Sequence, residues 1–352
     1  MHLFTRDWPI KLRTITLSGL TVLSYTFDIL FYSTLFTLSA ALGTIIPPRF
    51  HEFSLFDISL RYTYRTEAES AVPIPLLVFI SGGIPIIQFI FFAIFQPRLS
   101  ISRRLWDLMS GFMCLLGAMA TQLLATCILK NICGLPRPDM IDRCEPMFQN
   151  IPVTQLSNVA ICTQPNWNLV QEGFRSFPSG HSSAVFCGMT ITSLNIASRL
   201  QTFDSRNNSF KVFLTILPIF LAMFVACTRV SDNRHFLRDV IGGSLIGTYV
   251  GSLFYWQYFP SIYNLSNNGR AYPPRRIGVH PFFNNIGGFW KIPDRLKGAF
   301  EQRVLNGPEG EAHLEKLQNG YLNQTVAPTT IQDNITLVNR LNEVLPEDIA
   351  EY

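Results

Sequence analysis

Apolar residues fill six long stretches of the chain, and charged side chains are nearly absent from each of them. A helix needs about 20 mainly apolar residues to cross a bilayer, so each stretch is a candidate transmembrane helix. The stretches lie roughly at 20–46, 73–95, 107–129, 179–198, 210–228 and 240–259. The fourth and fifth have the shortest uncharged cores and are the weakest candidates. The pattern predicts an all-α, polytopic membrane protein with six transmembrane helices.

Composition agrees with this interpretation. The 352-residue chain is 48% hydrophobic and only 15% charged, whereas a soluble domain of this size carries more charge. Its net charge of +4 is too small to indicate nucleic-acid binding. The N-terminal region has basic residues but no small-residue cleavage site before a short apolar core, so we expect an uncleaved first helix. We divide the chain into a cytosolic N-terminus (1–19), a membrane domain (20–260) and a cytosolic, largely irregular C-terminal tail (261–352).

Basic residues concentrate in alternate loops, and such loops face the cytosol in membrane proteins. They are Arg6, Lys11, Arg13, Arg98, Arg103, Arg104, Arg199, Arg206 and Lys211. Both termini are therefore expected in the cytosol and the opposite loops in the lumen of an internal membrane such as that of the endoplasmic reticulum, Golgi or vacuole. Glycosylation sequons begin at Asn207, Asn264, Asn323 and Asn334. All of them fall on the predicted cytosolic side, so we expect an unglycosylated protein.

The tail after Phe259 is basic at its start and acidic at its end. The basic part could lie on anionic lipid or form a solvated linker, and the sequence leaves both readings open. Cys144 and Cys162 fall in one predicted lumenal loop, where a disulfide between them is possible because that compartment is oxidising.

Polar residues gather at the lumenal ends of the predicted helices in three motifs, "KNICGLPRP", "RSFPSGHSS" and "TRVSDNRHFLRDV". Their candidate functional residues are Lys130, Arg137, Ser179, Gly180, His181, Arg229, His235 and Asp239. Cations at helix ends often only extend toward the interface. That role does not explain why two of the motifs also supply a histidine.

The cations and the start of the fourth helix suit a phosphate group. Arginine binds phosphate oxygens in a bidentate manner and lysine adds a point charge. Ser179 and Gly180 would begin the fourth helix, where free backbone N–H groups and the helix dipole favour an anion, and Gly180 would permit close approach. The motifs therefore predict a phosphate-binding site.

The histidines add reactivity to this site. If the sixth helix begins before His235, then His235 and Asp239 share one helical face, and the carboxylate could orient the ring for attack on phosphorus. His181 would then protonate the departing oxygen. A divalent metal would be repelled by the surplus of positive charge, so we predict an enzyme with no metal and no other cofactor.

The motifs K-x6-R-P, PSGH and (S)R-x5-H-x3-D resemble the signature of the type 2 phosphatidic acid phosphatase superfamily, with Thr228 in place of serine. The resemblance covers roughly residues 20–280, and its finer features are similar to fungal diacylglycerol pyrophosphate and phosphatidate phosphatases. It implies Mg-independent hydrolysis through a phosphohistidine, with His235 as nucleophile and His181 as acid. The implied substrates are phosphatidate, lysophosphatidate and diacylglycerol pyrophosphate, presented by the bilayer.

Other functions fit the same motifs. The site could act on polyisoprenyl or sphingoid phosphates, or transfer the phosphate to an alcohol instead of water. Haloperoxidases share the motifs but are expected to be soluble. A lipid-binding protein without activity would be expected to lack the reacting groups, all of which are present here. A transporter is disfavoured because the charges lie at helix ends rather than within the spans.

Overall fold

The structure is a computed structural model, and it describes residues 10–12, 15–17, 19–95, 101–147, 155–204, 208–263, 269–272 and 274–275. The acceptor asparagines of all four glycosylation sequons and nearly all of the tail lie outside these residues, so the predictions made for them are not addressed by the structure. The chain divides into two compact units. One consists of Met1–Leu23 and Pro273–Tyr352, and the other of Ser24–Tyr272. In the first unit, strand β1 (Ile10–Leu12) pairs antiparallel with β2 (Ile15–Leu17).

The second unit is helical. Its elements, including the first helix that starts in the other unit, are α1 (Gly19–Thr44), a 3-10 turn (Ile58–Leu60), α2 (Ile74–Val78), a π-helical turn (Phe79–Gly83), α3 (Ile84–Ile94), α4 (Ile101–Cys133), α5 (Met140–Cys144), a second 3-10 turn (Val159–Ile161), α6 (Trp167–Gly173), α7 (Gly180–Arg199), α8 (Ser209–Ser231) and α9 (Leu237–Tyr258). Helix α2, the π turn and α3 are continuous. Long helices therefore occupy all six of the predicted apolar stretches.

Among the described residues, four helical segments are long and apolar enough to cross a membrane: Thr21–Thr44, Ile74–Ile94, Arg103–Cys133 and Ser209–Ser231. The last of these is the fifth predicted stretch, so its reading as a weak candidate was wrong. Helices α7 and α9 do not meet the same criterion. Large apolar side chains on α1 and α8 are exposed, such as Phe27 at 67% and Phe224 at 65%, as expected for surfaces that face lipid.

Helix α7 can be less apolar than the lipid-facing helices because it packs against other helices. It packs against α9, α8, α4 and α3, and none of its residues is exposed. Small residues on α9 allow the closest of these contacts. A Cβ added at Gly243, Gly247 or Gly251 would lie 2.4, 2.2 or 2.8 Å from a backbone carbonyl oxygen of α7. The two helices therefore pack backbone against backbone, as small residues permit in membrane bundles.

One end of the bundle is covered by the segments that precede α2 and α7. Their buried apolar side chains form a separate core that consists of Phe53, Leu55, Leu60, Met140, Cys144, Val170 and Phe174. A disulfide joins Cys144 to Cys162, and a bridge pairs Phe53 with Ser157. Gly134 ends α4 with a φ of +56°, and a Cβ there would lie within 1.8 Å of the Arg49 carbonyl oxygen, so the turn requires glycine.

The opposite end of the bundle is held by a buried carboxylate. Asp107 of α4 accepts a hydrogen bond from Arg199 at the end of α7 (3.2 Å) and another from the Ala271 backbone N–H (3.1 Å). Trp106 also donates to the Tyr272 carbonyl at 2.7 Å. Residues 269–272, at the start of the predicted tail, are therefore docked against the helix ends.

Candidate active site

The first motif places two cations beside one backbone carbonyl. Lys130, in the last turn of α4, donates to the Arg175 carbonyl oxygen at 2.6 Å, and Arg137 approaches the same oxygen at 3.4 Å. Arg137 is 7% exposed and donates through Nη2 to Glu172 Oε2 at 2.9 Å. The loop between them turns at Gly134 and returns Arg137 to the end of α4. Both predicted phosphate-binding cations of this motif therefore lie next to the segment that precedes α7.

Glu172 and Arg175 belong to the site although neither was among the predicted residues. Glu172 lies between two arginines, with Oε2 on Arg137 and Oε1 3.3 Å from Arg175 Nη1. Burial alone would raise the pKa of Glu172, but Arg137, Lys130 and Arg175 outweigh it and lower the pKa to about 2. Arg175 also donates to the carbonyls of Gly43 and Ile46 at the end of α1. Their position just before the PSGH motif was the only sequence signal for them.

The second motif begins α7 as predicted, with Ser179 as the N-cap and Gly180 as the first helical residue. Ser179 is fully buried. Its hydroxyl accepts from the Ser182 N–H at 3.4 Å, and its own N–H donates to the Asp239 carbonyl at 2.9 Å. The Ser179 N–H is therefore paired and not free as expected, and the assignment of Ser179 to phosphate binding stays a prediction. The N–H groups of Gly180 and His181 remain as donors without an intrahelical partner.

Gly180 lies against Lys130. A Cβ added at Gly180 would lie 3.7 Å from Lys130 Cε, which is an ordinary contact. Space alone therefore does not require glycine at this position. His181 follows, and its Nε2 lies 3.2 Å from the Val72 carbonyl oxygen, just before α2.

The third motif brings Arg229 and His235 to the same end of the bundle. Arg229, near the end of α8, is 1% exposed and donates to Asp232 Oδ2 at 2.8 Å. His235 is 4% exposed. Burial lowers the pKa of His235 well below its ordinary value of 6.5, and the positive charges of Arg137, Lys130, His181 and Arg229 lower it further. The cations of the first and third motifs are therefore close enough to act on one imidazole.

The predicted helical relationship between His235 and Asp239 was wrong. Helix α9 begins at Leu237, so His235 lies in the preceding loop and does not share a helical face with Asp239. His235 Nδ1 lies 3.9 Å from Asp239 Oδ2, which is too long for a hydrogen bond. Within the described residues, His235 Nδ1 and Asp239 Oδ1 are both buried without a hydrogen-bond partner.

Asp239 Oδ2 is occupied by two donors from other positions. The Ser176 hydroxyl donates to it at 2.5 Å and the Phe236 N–H at 3.0 Å. Ser176 is fully buried, and its own N–H donates to the Leu135 carbonyl. Ser176 was not predicted as a site residue, yet from within the second motif it contacts residues of the first and third.

The structure thus brings all eight predicted residues to one end of the bundle and pairs Cys144 with Cys162 in the segments that cover it. The part of the chain that the structure describes contains no group of three or more His, Cys, Asp or Glu side chains that could hold a metal ion. The arrangement offers several cations for an anion and two imidazoles, and burial and the nearby cations lower the pKa of the His235 imidazole.

Comparison with known proteins identifies relatives of this chain. The family model of the PAP2 superfamily matches residues 111–263. Lipid phosphate phosphatase 2 of Arabidopsis thaliana is 32% identical over 280 residues, which cover 78% of this chain and 88% of that protein. The probable diacylglycerol pyrophosphate phosphatase 1 of Schizosaccharomyces pombe is 32% identical over 219 residues, with coverages of 61% and 74%. No solved structure matches the chain.

Proposed function

The chain belongs to the PAP2 superfamily, and we propose that it is an integral membrane enzyme that hydrolyses the terminal phosphate of lipid phosphates. The observation that carries this proposal is the convergence of Lys130, Arg137 and Arg229 around two histidines from separate helix ends. A cluster of buried cations around a neutral imidazole suits attack on a phosphate dianion, which the cations would attract and neutralise.

In the proposed reaction, a ring nitrogen of His235 attacks phosphorus. The bond between phosphorus and the leaving oxygen breaks, and that oxygen keeps the electron pair and takes a proton from His181. Water then attacks the phosphohistidine and gives a proton to His181. The phosphorus–nitrogen bond breaks, inorganic phosphate leaves, and both histidines return to their starting states.

Lys130 and Arg137 have a further task in this proposal. Both currently contact the Arg175 carbonyl, and their charged groups would turn to the phosphate oxygens when substrate enters. The N–H groups of Gly180 and His181 would add donors at the positive end of α7. Asp239 would orient His235, whose Nδ1 lies 3.9 Å from Asp239 Oδ2 and would move closer to it when substrate binds.

We propose that the reaction needs no metal ion, since the cations already supply the charge that a metal would bring. The proposed substrates are phosphatidate, lysophosphatidate and diacylglycerol pyrophosphate, which the names of the two relatives support only as a class. The proposed topology has six spans, both termini in the cytosol and the site on the lumenal side of an internal membrane. The apolar exposed faces of α1 and α8 and the disulfide are consistent with this topology.

A phosphate-release assay tests the function directly. The purified full chain is incubated in EDTA with phosphatidate, lysophosphatidate, diacylglycerol pyrophosphate, a sphingoid phosphate and a polyisoprenyl phosphate. Release from the first three lipids is expected in EDTA, and His235→Ala should abolish it while the protein remains folded. Activity that appears only on addition of a divalent metal would contradict the proposed chemistry, and full activity in His235→Ala would contradict the assigned nucleophile.

A further inference from the structure

The loop before α2 reaches the site although it contains no residue of the three motifs. We call residues 65–72 the 65–72 loop. Asp232, which is 2% exposed, holds this loop: its Oδ2 accepts from the Ala71 N–H at 3.1 Å and from the Ser70 hydroxyl at 3.4 Å. Its Oδ1 lies 3.5 Å from Arg65 Nη1. The same carboxylate accepts from Arg229 at 2.8 Å, so it joins the loop to the proposed phosphate site.

The end of the 65–72 loop contacts His181. The Val72 carbonyl oxygen lies 3.2 Å from His181 Nε2, and the Ser70 hydroxyl also lies 3.3 Å from this carbonyl. Because a carbonyl oxygen only accepts, Nε2 carries hydrogen in this contact. When the ring is protonated on both nitrogens, Nδ1 is then the nitrogen that can pass a proton to a substrate and return to the neutral form. Ser70 therefore lies between Asp232 on one side and the carbonyl that orients His181 on the other.

We propose that Asp232 and Ser70 are positioning residues that hold His181, through the Val72 carbonyl, for protonation of the leaving oxygen. The 65–72 loop thereby sets how well the enzyme cleaves phosphate monoesters relative to diphosphates. This inference rests on the proposed function and assigns substrate preference within it.

The reason is the basicity of the leaving oxygen. Cleavage of phosphatidate expels the oxygen of diacylglycerol, an alkoxide about as basic as hydroxide, whose conjugate acid has a pKa of about 15.7. Cleavage of diacylglycerol pyrophosphate expels a phosphate oxygen, whose conjugate acid has a pKa of about 6. The alkoxide departs only with a proton, whereas the phosphate oxygen can depart without one. An acid that is poorly positioned therefore slows the monoester reaction far more than the diphosphate reaction.

Two variants separate the contributions of the loop and of Arg229. Ser70→Ala removes the hydroxyl between Asp232 and Val72 and leaves the contact between Asp232 and Arg229 intact. Asp232→Asn weakens both connections. Asp142→Asn is the matched control, because the Asp142 carboxylate accepts from the Tyr64 N–H at 2.7 Å, immediately before the loop. All three are purified as full chains and assayed for kcat and KM with phosphatidate and with diacylglycerol pyrophosphate.

We expect Ser70→Ala to lower kcat for phosphatidate about tenfold or more, since a general acid contributes about 10²–10⁴-fold, and to leave KM nearly unchanged. Its kcat for diacylglycerol pyrophosphate should fall by less than about threefold, which also shows that the variant is folded. Asp232→Asn should slow both reactions, and phosphatidate more. Asp142→Asn should keep the wild-type ratio.

Several results would overturn the inference. Equal losses on both lipids in Ser70→Ala, or no loss on either, would show that the loop does not act through His181. A changed ratio in Asp142→Asn would mean that any disturbance near the loop has this effect. Failure of the wild-type chain to hydrolyse either lipid would instead contradict the proposed function itself.

Discussion

The hydroxyl of Ser176 donates a 2.5 Å hydrogen bond to Oδ2 of Asp239, and both residues are fully buried. Together with the Phe236 N–H, this bond fixes Oδ2, the carboxylate oxygen that lies 3.9 Å from His235 Nδ1. Ser176, which lies 63 positions before Asp239 in the chain, thus holds the Asp239 carboxylate in one orientation. A hydrogen bond to a carboxylate contributes about 1.5–3 kcal/mol, which is enough to hold one rotamer of a buried aspartate.

Ser176→Ala is expected to lower kcat about tenfold, because Asp239 could then rotate away from His235. KM should change little, since the Ser176 hydroxyl donates to Asp239 and not to a proposed phosphate-binding group. Ser176→Thr keeps the hydroxyl and should recover most of the activity. Steady-state kinetics on phosphatidate measure both values. Wild-type kcat in Ser176→Ala would show that Asp239 needs no such support.

We assign the acid limb of the kcat/KM profile to the ionisation of His235. The midpoint of this limb should lie below pH 6.5. The nucleophile must be unprotonated, and burial and the surrounding cations lower the pKa of His235 below that value. The enzyme therefore keeps its nucleophile as the pH falls through 6.5 and loses it only in more acidic solution. Arg137→Gln removes one of these positive charges, so the limb should move to higher pH.

A pH series of kcat/KM for the wild type and Arg137→Gln tests this expectation. Ionisation of the substrate phosphate also contributes a limb near pH 6, but that limb stays in place when the enzyme is changed. A profile in which no limb moves would contradict the assignment of this ionisation to His235.

Gly247→Ala should destabilise the bundle. Its Cβ would lie 2.2 Å from the Ser183 carbonyl oxygen, so α7 and α9 would have to separate, at a cost of about 1–3 kcal/mol. Gly82→Ala is the control, because a Cβ there meets nothing within 4 Å. Thermal unfolding in detergent should show a lower Tm for Gly247→Ala than for Gly82→Ala. Equal Tm values would mean that the α7–α9 contact is looser than described.

Ala160→Thr tests the proposed lumenal side. The change completes a glycosylation sequon that starts at Asn158, and both residues are exposed in the segment next to the disulfide. Expressed in a eukaryotic cell, this variant should gain a glycan that endoglycosidase removes, whereas the wild type should show no shift. A glycosylated wild type, or an unmodified variant, would contradict the proposed topology.

Apolar patterning located the long helices because lipid-facing surfaces must be apolar along a whole span. The length of the uncharged stretch alone made α8 a weak candidate. The exposed face of α8, which carries Phe220 and Phe224, is nevertheless strongly apolar. Motif spacing located the residues of the site, since each motif falls at a helix end. Spacing could not locate contacts such as that of Arg137 with Glu172, which depend on how separate helices pack.

The error at His235 has a local cause. The spacing of His235 and Asp239 suggested one helix, but the residues before His235 form a turn in which Asn233 adopts a φ of 58°. Asparagine tolerates this left-handed conformation better than most residues, and Asp232 beside it also favours a turn. The "SDN" triplet was the available signal, and it places His235 in the loop that leads into α9.

Helix α7 has no exposed residue, and this has a consequence for how the protein inserts into the membrane. A helix with buried Ser, Thr and Asn side chains gains little from entering lipid by itself. Neighbouring helices take the place of lipid around α7. The glycines of α9 bring that helix closest to it. Where α7 crosses the bilayer as proposed, its insertion depends on partners that are synthesised after it. The site, which includes the start of α7, is then complete only once α8 and α9 have packed against that helix.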